Sequence, residues 1–352
     1  MKVCVVGAGA IGGYLGVKLA RSGEDVTLIA RGDHLQAITA NGLTLINRDG
    51  TAEVAKGVKA TDRLDVAGPQ DVVILGVKAH QIAPIARDLR LLFHSHTAVV
   101  TTQNGIPWWY FHKRGDRFEG YRIKTADPEG TITANIEAQR IIGCIPYPAA
   151  EISAPGVIRH IEGTRFPVGE LDGTETERVK AVSKMLVRAG LKAPILTDIR
   201  SELWLKAWGN LTFNPISALT HSTLIDICQY PPTRELAANM MTEAQTIANK
   251  LGISFRVPME KRIAGAERVG KHKTSMLQDV EAGKALEADA LLGTVIELGE
   301  LTGTATPALT AVYACVKLLG KTMTEGCLYI KGRSLGADRP GPTMQANAAA
   351  AG

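Results

Sequence analysis

Gly7-Ala8-Gly9-Ala10-Ile11-Gly12 follows directly on the apolar run Lys2–Val6 and opens a helical stretch. No other feature of the chain constrains its fold as strongly. Glycines at this spacing, between a buried strand and a helix, make a turn that a phosphate can approach closely. Gly7 permits the tight turn, Gly9 lets backbone reach a pyrophosphate, and Gly12 lets helix pack on strand. The helix N-terminus behind them offers unpaired N–H groups and a partial positive charge. The motif alone is weak, and a turn without a ligand is the plain alternative. Its setting at the first strand-to-helix turn of an alternating chain is what strengthens it.

That alternation runs through the first half. Lys2–Val6, Asp25–Ala30, Asp71–Val77 and Thr97–Thr102 read as strands, and their near-continuous apolar character marks buried parallel ones. Ile11–Ser22 and His34–Asn41 read as helices, with Gly23 and Gly42 at their C-terminal caps. Strands alternating with helices predict a doubly wound, Rossmann-like α/β domain. After Arg140 the strands come closer together, at Ile141–Pro148, Val157–Glu162 and Arg165–Glu170. They read as further strands of the same sheet, joined partly by hairpins.

From about Asp198 the pattern is helical. Ser201–Leu211, Pro231–Leu251, Ala285–Leu301 (closed by Gly303) and Pro307–Leu319 are the expected helices. Residues 1–197 are therefore expected to form the α/β domain and 198–332 an all-α domain. The tail 333–352, rich in Ala, Gly and Pro, reads as disordered.

The second strand bears on the choice of cofactor. An NAD site usually carries an Asp or Glu there, for the ribose 2′-hydroxyl. Here the strand ends in Arg31, nineteen residues after Gly12. A guanidinium can bind a 2′-phosphate bidentately where a carboxylate would repel it, so NADP is expected; a solvated surface arginine is the alternative. Asp33 reads as the cap of the next helix rather than as a ribose ligand. Lys78 and Asn104 each follow a buried strand, at the carboxyl edge where doubly wound sheets bind ligands. Each could equally be an ordinary loop lysine or a turn.

In the second half the informative segment is Glu202-Leu-Trp-Leu-Lys206-Ala-Trp-Gly-Asn210-Leu-Thr-Phe-Asn214-Pro215. Lys206, Asn210 and Asn214 fall at i, i+4 and i+8, on one helix face. Pro215 removes an N–H and disfavours helical geometry at Asn214, so the helix is expected to kink or end there. Asparagine is a poor helix former, which makes a Lys-Asn-Asn stripe unusual for a merely solvated face. Further on, Ser275 and Gln278 match a capping box, and Glu287 could simply favour the start of its helix.

Taken in order, the Gly7–Gly13 opening, Arg31, Val77-Lys78-Ala, Gln103-Asn104-Gly105, Glu202 through Asn214-Pro215, and Ser275-Met-Leu-Gln278-Asp279 through Glu287 resemble the signature of the ketopantoate reductases (2-dehydropantoate 2-reductases). The resemblance covers about residues 1–320. It implies NADPH-dependent reduction of 2-dehydropantoate to (R)-pantoate, a step toward pantothenate and coenzyme A. It also implies a Rossmann domain followed by a helical domain like the C-terminal part of 6-phosphogluconate dehydrogenase, with the site in the cleft between them. Carried over by position, Lys206 resembles the catalytic lysine that supplies the proton, and Glu287 the carboxylate that orients it and reaches the cofactor. Asn210, Asn214 and Ser275 resemble residues that bind the substrate. Lys78 and Asn104 resemble the pair reaching cofactor and substrate from the first domain. Gly7 to Gly12 and Arg31 would hold the cofactor.

Three departures stand out: Lys284 where the family usually has Arg, Leu286-Glu287-Ala288-Asp289 for its usual Thr-Glu-Ile-Asp, and a long stretch from Ile106 to Gln139 holding Trp108-Trp109-Tyr110-Phe111. Those aromatics could cap the cleft, pack a homodimer contact, or anchor the loop.

Composition narrows the rest. Over 352 residues, 45 % are hydrophobic and 21 % charged, and the formal net charge is +5, which suits a soluble chain of two domains with an anionic ligand. No basic run suggests nucleic acid, and no apolar run approaches a membrane span. The five cysteines show no metal-ligand spacing, so no metal is expected; they read as small buried hydrophobes in a reducing compartment, the cytoplasm. A related reductase of another small 2-keto acid, and a non-catalytic NADPH sensor, are the competing readings. The sensor has no use for Lys206, Asn210, Ser275 and Glu287 together.

Overall fold

The computed structural model describes residues 1–332; the tail expected to be disordered lies outside the described residues. Eleven strands are formed among the described residues, in chain order β1 (Lys2–Val6), β2 (Asp25–Ile29), β3 (Leu43–Ile46), β4 (Ala52–Ala55), β5 (Lys59–Thr61), β6 (Gln70–Leu75), β7 (Phe93–Thr101), β8 (Ile141–Cys144), β9 (Ala149–Ala154), β10 (Val157–Glu162) and β11 (Val168–Glu170). Seven make one sheet in the order β11-β8-β7-β6-β1-β2-β5, parallel except where β11 runs against β8. The central strands β1 and β6 are buried almost end to end, as a parallel sheet covered on both faces requires.

The expectation that every later strand joins this sheet is corrected. β10 belongs to a second, four-stranded sheet, β4-β3-β10-β9, whereas β8 and β11 do extend the first. The second sheet packs against the helix α1 (Ala10–Arg21), so α1 lies between two sheets. Gly13 and Gly16 allow this: a Cβ at Gly13 would fall 2.8 Å from Ile158 of the second sheet, and one at Gly16 2.6 Å from Leu28 of the first. Short strands with weak alternation, such as Ala52–Ala55 and Lys59–Thr61, carry little local signal, which is why they were not legible.

The helical half begins at Asp198, whose side chain caps the helix Ile199–Thr220 by accepting from Ser201 N. This helix continues through Pro215 and ends at His221, which adopts a left-handed conformation. Of the two expected outcomes, an end at Asn214 is therefore ruled out. Leu211 to Ala218 are all buried, and burial of that many side chains outweighs the roughly 3 kcal/mol that an interior proline costs. Another correction concerns the segment before Gly303. It is helical only from Ala288, through a π-helical stretch Asp289–Gly293 into Thr294–Thr302, so Glu287 precedes the helix.

The aromatic run anchors its loop inside the chain. Trp108, Trp109, Tyr110 and Phe111 are all buried in the cluster that also holds Leu203, Trp204 and Leu211 of the long helix. Tyr110 OH accepts from Trp204 Nε1 at 2.8 Å, and Arg200 donates to the carbonyls of Tyr110, His112 and Leu171. Glu297 then accepts from the backbone of Lys124 and Thr125. These rings are therefore unavailable for a cleft cap or a subunit contact; they join the two halves through one continuous core.

Candidate functional site

The glycine turn sits as its spacing requires. Gly7 has φ +98°, and a Cβ there would fall 2.6 Å from Val77. A Cβ on Gly12 would overlap the Gly7 carbonyl, so α1 can approach β1 only without one. Gly9 has open space before it, room that a side chain would fill and a phosphate could enter. Gly7 N and Ala8 N both donate to Ile29 O, at 3.1 and 2.9 Å, which ties the turn to the end of β2. Ala10 and Ile11 form the first turn of α1, partly exposed. Arg31, exposed beside this turn, is the N-cap position of the helix Gly32–Asn41. Asp33 makes no capping bond and lies inside that helix, so its expected capping role is corrected. His34, one residue on, bridges the turn to the second sheet: Gly156 N donates to its Nδ1 at 2.9 Å, and Nε2 lies 2.8 Å from Ala8 O. Sequence spacing gave no sign of that bridge, because Gly156 lies 122 residues away.

In the helical half, Lys206, Asn210 and Asn214 line up along the long helix. Lys206 is partly buried, and its ammonium donates to the carbonyl of Pro146. Burial holds its pKa down at about 8, against the opposing pull of Cys144 and of the Glu287 carboxylate. Asn214 is buried and its Nδ2 donates to Ser275 Oγ at 3.3 Å. Ser275 is the first residue of its helix, and its neighbour Thr274 is the cap, accepting from Leu277 N. The capping box expected at Ser275 and Gln278 is thereby corrected, which leaves the Ser275 hydroxyl exposed and free of a capping duty. Asn210 is partly exposed and makes no side-chain hydrogen bond among the described residues.

The two halves meet around Glu287. Its carboxylate accepts from Asn104 Nδ2 and from Ala79 N, each at 3.4 Å. Gly105 (φ +83°) lies so close to Ala290 that any Cβ would overlap the Ala290 carbonyl, which in turn accepts from Ile106 N at 3.1 Å. Lys78 Nζ donates to Asp279 Oδ2 at 2.7 Å and to Ala285 O at 2.9 Å. The site therefore draws Lys78 and Asn104 from the α/β side together with Lys206, Asn214, Ser275 and Glu287 from the helical side. Among the described residues no group of three or more His, Cys, Asp or Glu could hold a metal ion, and no helix is long and apolar enough to cross a membrane.

The family described as ketopantoate reductase PanE/ApbA matches residues 3–173, and its C-terminal counterpart matches 198–320. A curated 2-dehydropantoate 2-reductase from Mesorhizobium japonicum is 51 % identical over 93 % of this chain and 99 % of its own length. Among solved structures, a putative ketopantoate reductase from Ralstonia solanacearum superposes with a TM-score of 0.87 at 37 % identity, covering 92 % of this chain and 98 % of that one. D-mandelate dehydrogenase with NADH and anilino(oxo)acetate shares the fold, with a TM-score of 0.78 at 23 % identity, over 92 % of this chain and all of that one. With a Rossmann-type sheet, a helical second half and matches along nearly its whole length, this chain belongs to the ketopantoate reductase family of oxidoreductases.

Proposed function

We propose that the chain uses NADPH to reduce 2-dehydropantoate to (R)-pantoate in the cytoplasm, with Lys206 as the general acid. One observation carries this reading: a partly buried lysine, its ammonium held by the Pro146 carbonyl and its pKa lowered by burial to about 8, stands in line with two asparagines and within the field of the Glu287 carboxylate. An acid whose pKa lies near the working pH donates its proton most effectively. The ammonium would hydrogen-bond the keto oxygen, stabilise the alkoxide as it develops, and pass a proton to it. The nicotinamide, when bound, supplies the hydride to the carbonyl carbon.

The other residues hold and orient. Backbone from Gly7 through Ala8, Gly9, Ala10, Ile11 and Gly12 would cradle the pyrophosphate, and Arg31 would fork onto a 2′-phosphate. Glu287, held by Asn104 and the Ala79 amide, would keep Lys206 charged and aligned. Asn210, Asn214 and Ser275 would bind the hydroxyl and carboxylate of the substrate. Lys78 would serve the cofactor once released from Asp279. In this reading residues 1–197 form the cofactor domain and 198–332 the substrate domain.

A second reading, another small 2-keto acid as substrate, is favoured by Lys284, Leu286 and Ala288, which depart from the family pattern beside Glu287. Purified protein, NADPH and ketopantoate, followed at the nicotinamide absorbance band, decide between them. Oxidation with ketopantoate at micromolar to millimolar KM supports the first reading. Turnover only with a different 2-keto acid removes it and leaves the second.

A further inference from the structure

Arg262, in the helix Met259–Val269, lies outside every motif described above. Its guanidinium rests on the long helix at Gly209, three residues after Lys206. A Cβ at Gly209 would overlap Nη2 and fall 2.8 Å from Cζ and 3.4 Å from Nε. The glycine is thus what lets the guanidinium lie against the helix backbone. Glycine inside a helix is disfavoured relative to alanine, so its presence there needs a local reason.

The guanidinium is partly buried and lacks a counterion. Among the described residues Arg262 forms no ion pair and donates no side-chain hydrogen bond; its backbone N–H donates to Pro258 O. Burial pushes its pKa down, opposed by Tyr147. The carboxylate that shares the helix face, Glu202, is already taken: it accepts from Tyr147 OH at 2.8 Å and is paired with Arg165. Tyr147 follows Pro146, the residue whose carbonyl holds Lys206. Arg262 and Lys206 therefore flank the same turn of the chain. A guanidinium left in this state is costly unless something anionic arrives to pair with it.

We propose that Arg262, seated over Gly209, is the cationic anchor for the carboxylate of the 2-keto acid and so sets the preference for acids over neutral ketones. This rests on the reductase reading above. Gly209 lies within one helical turn of Lys206, and Arg262 feels Tyr147 while Lys206 is held by the adjoining Pro146 carbonyl, a placement that suits a keto oxygen on Lys206 and the carboxylate on Arg262. The planar fork of arginine binds both carboxylate oxygens, which the uncharged side chains of Asn210, Asn214 and Ser275 do less strongly.

The test compares wild type with Arg262→Gln, Arg262→Lys and Gly209→Ala, using ketopantoate, 2-ketoisovalerate and the neutral ketopantolactone. In Arg262→Gln the KM for both acids should rise on the order of 10- to 100-fold. The kcat should change by no more than a few-fold, the NADPH affinity should hold, and the KM for the lactone should not move. Arg262→Lys should recover part of the loss, since it keeps the charge without the fork. Gly209→Ala displaces the guanidinium while improving the helix, so it should raise the KM for the acids without lowering the melting temperature. An unchanged KM for the acids in Arg262→Gln, or equal losses for acid and lactone, overturns the proposal. If ketopantoate is not reduced at all, the substrate reading fails separately. Binding of 2-ketoisovalerate to the NADPH-loaded enzyme, read by quenching of NADPH fluorescence, then decides Arg262. Weaker binding in Arg262→Gln supports the anchor, while equal binding, or no binding to wild type, rejects it.

Discussion

Lys78 of the α/β half donates to Asp279 of the helical half at 2.7 Å, joining residues 201 positions apart. Both side chains are largely shielded from solvent, at 27 % and 16 % exposure, so this pair is worth more than an exposed one. Burial raises the Asp279 pKa, and Lys78 opposes it. A double-mutant cycle with Lys78→Met and Asp279→Leu, read by denaturant unfolding, should give a coupling of about 1–2 kcal/mol. Additive effects would show that this ion pair does not help to hold the two halves together.

Lys206 links rate to pH. Reduction needs the charged ammonium, so kcat/KM should stay level below about pH 8 and fall tenfold per unit above it. Lys206→Ala should lower kcat about 10²- to 10⁴-fold and leave NADPH binding nearly intact. The same residue should cost stability. Its folded pKa is lowered, so the unfolded chain binds more protons between about pH 8 and the ordinary lysine value, and folding gains stability as pH rises through that window. Lys206→Met should therefore melt higher than wild type at pH 7.

Arg31→Ala should weaken NADPH on the order of 10- to 100-fold and NADH far less, because only the former carries a 2′-phosphate for the guanidinium to pair with. Equal losses, measured by fluorescence titration of both cofactors, would show that Arg31 does not touch that phosphate.

Gly9 and Gly12 should separate binding from folding. Space before Gly9 is open, so Gly9→Ala should melt like wild type yet lose cofactor affinity at least tenfold. Gly12→Ala forces a methyl group into the Gly7 carbonyl and should destabilise the domain by several kcal/mol, seen as a lower melting temperature without any ligand.

His34 supplies a second pH signature. Because Gly156 N donates to Nδ1, the ring is neutral and Nε2 carries the proton donated to Ala8 O. Burial lowers its pKa, so the unfolded chain takes up the proton first as pH falls. The stability the bridge confers is complete above about pH 6.5 and is lost below it. Wild type should lose melting temperature below pH 6.5 more steeply than His34→Gln, with cofactor affinity falling in parallel.

The alternation of strand and helix, the glycine turn at its head and the lysine-asparagine stripe were legible in the sequence because each is a local pattern. Period, spacing and special backbone angles depend on residues a few positions apart. The sequence alone therefore determined the Rossmann-type fold, the helical second half and the alignment of Lys206, Asn210 and Asn214. Tertiary structure decided the rest. It drew β10 into a second sheet around α1, carried the long helix through Pro215, moved the cap from Ser275 to Thr274, and sealed the aromatic run inside the core. It also paired Lys78 with Asp279 and laid Arg262 on Gly209. The physical reason is common to all of these: each is won by burial or by contact between residues distant in the chain, and such energies leave no periodic trace in the local sequence.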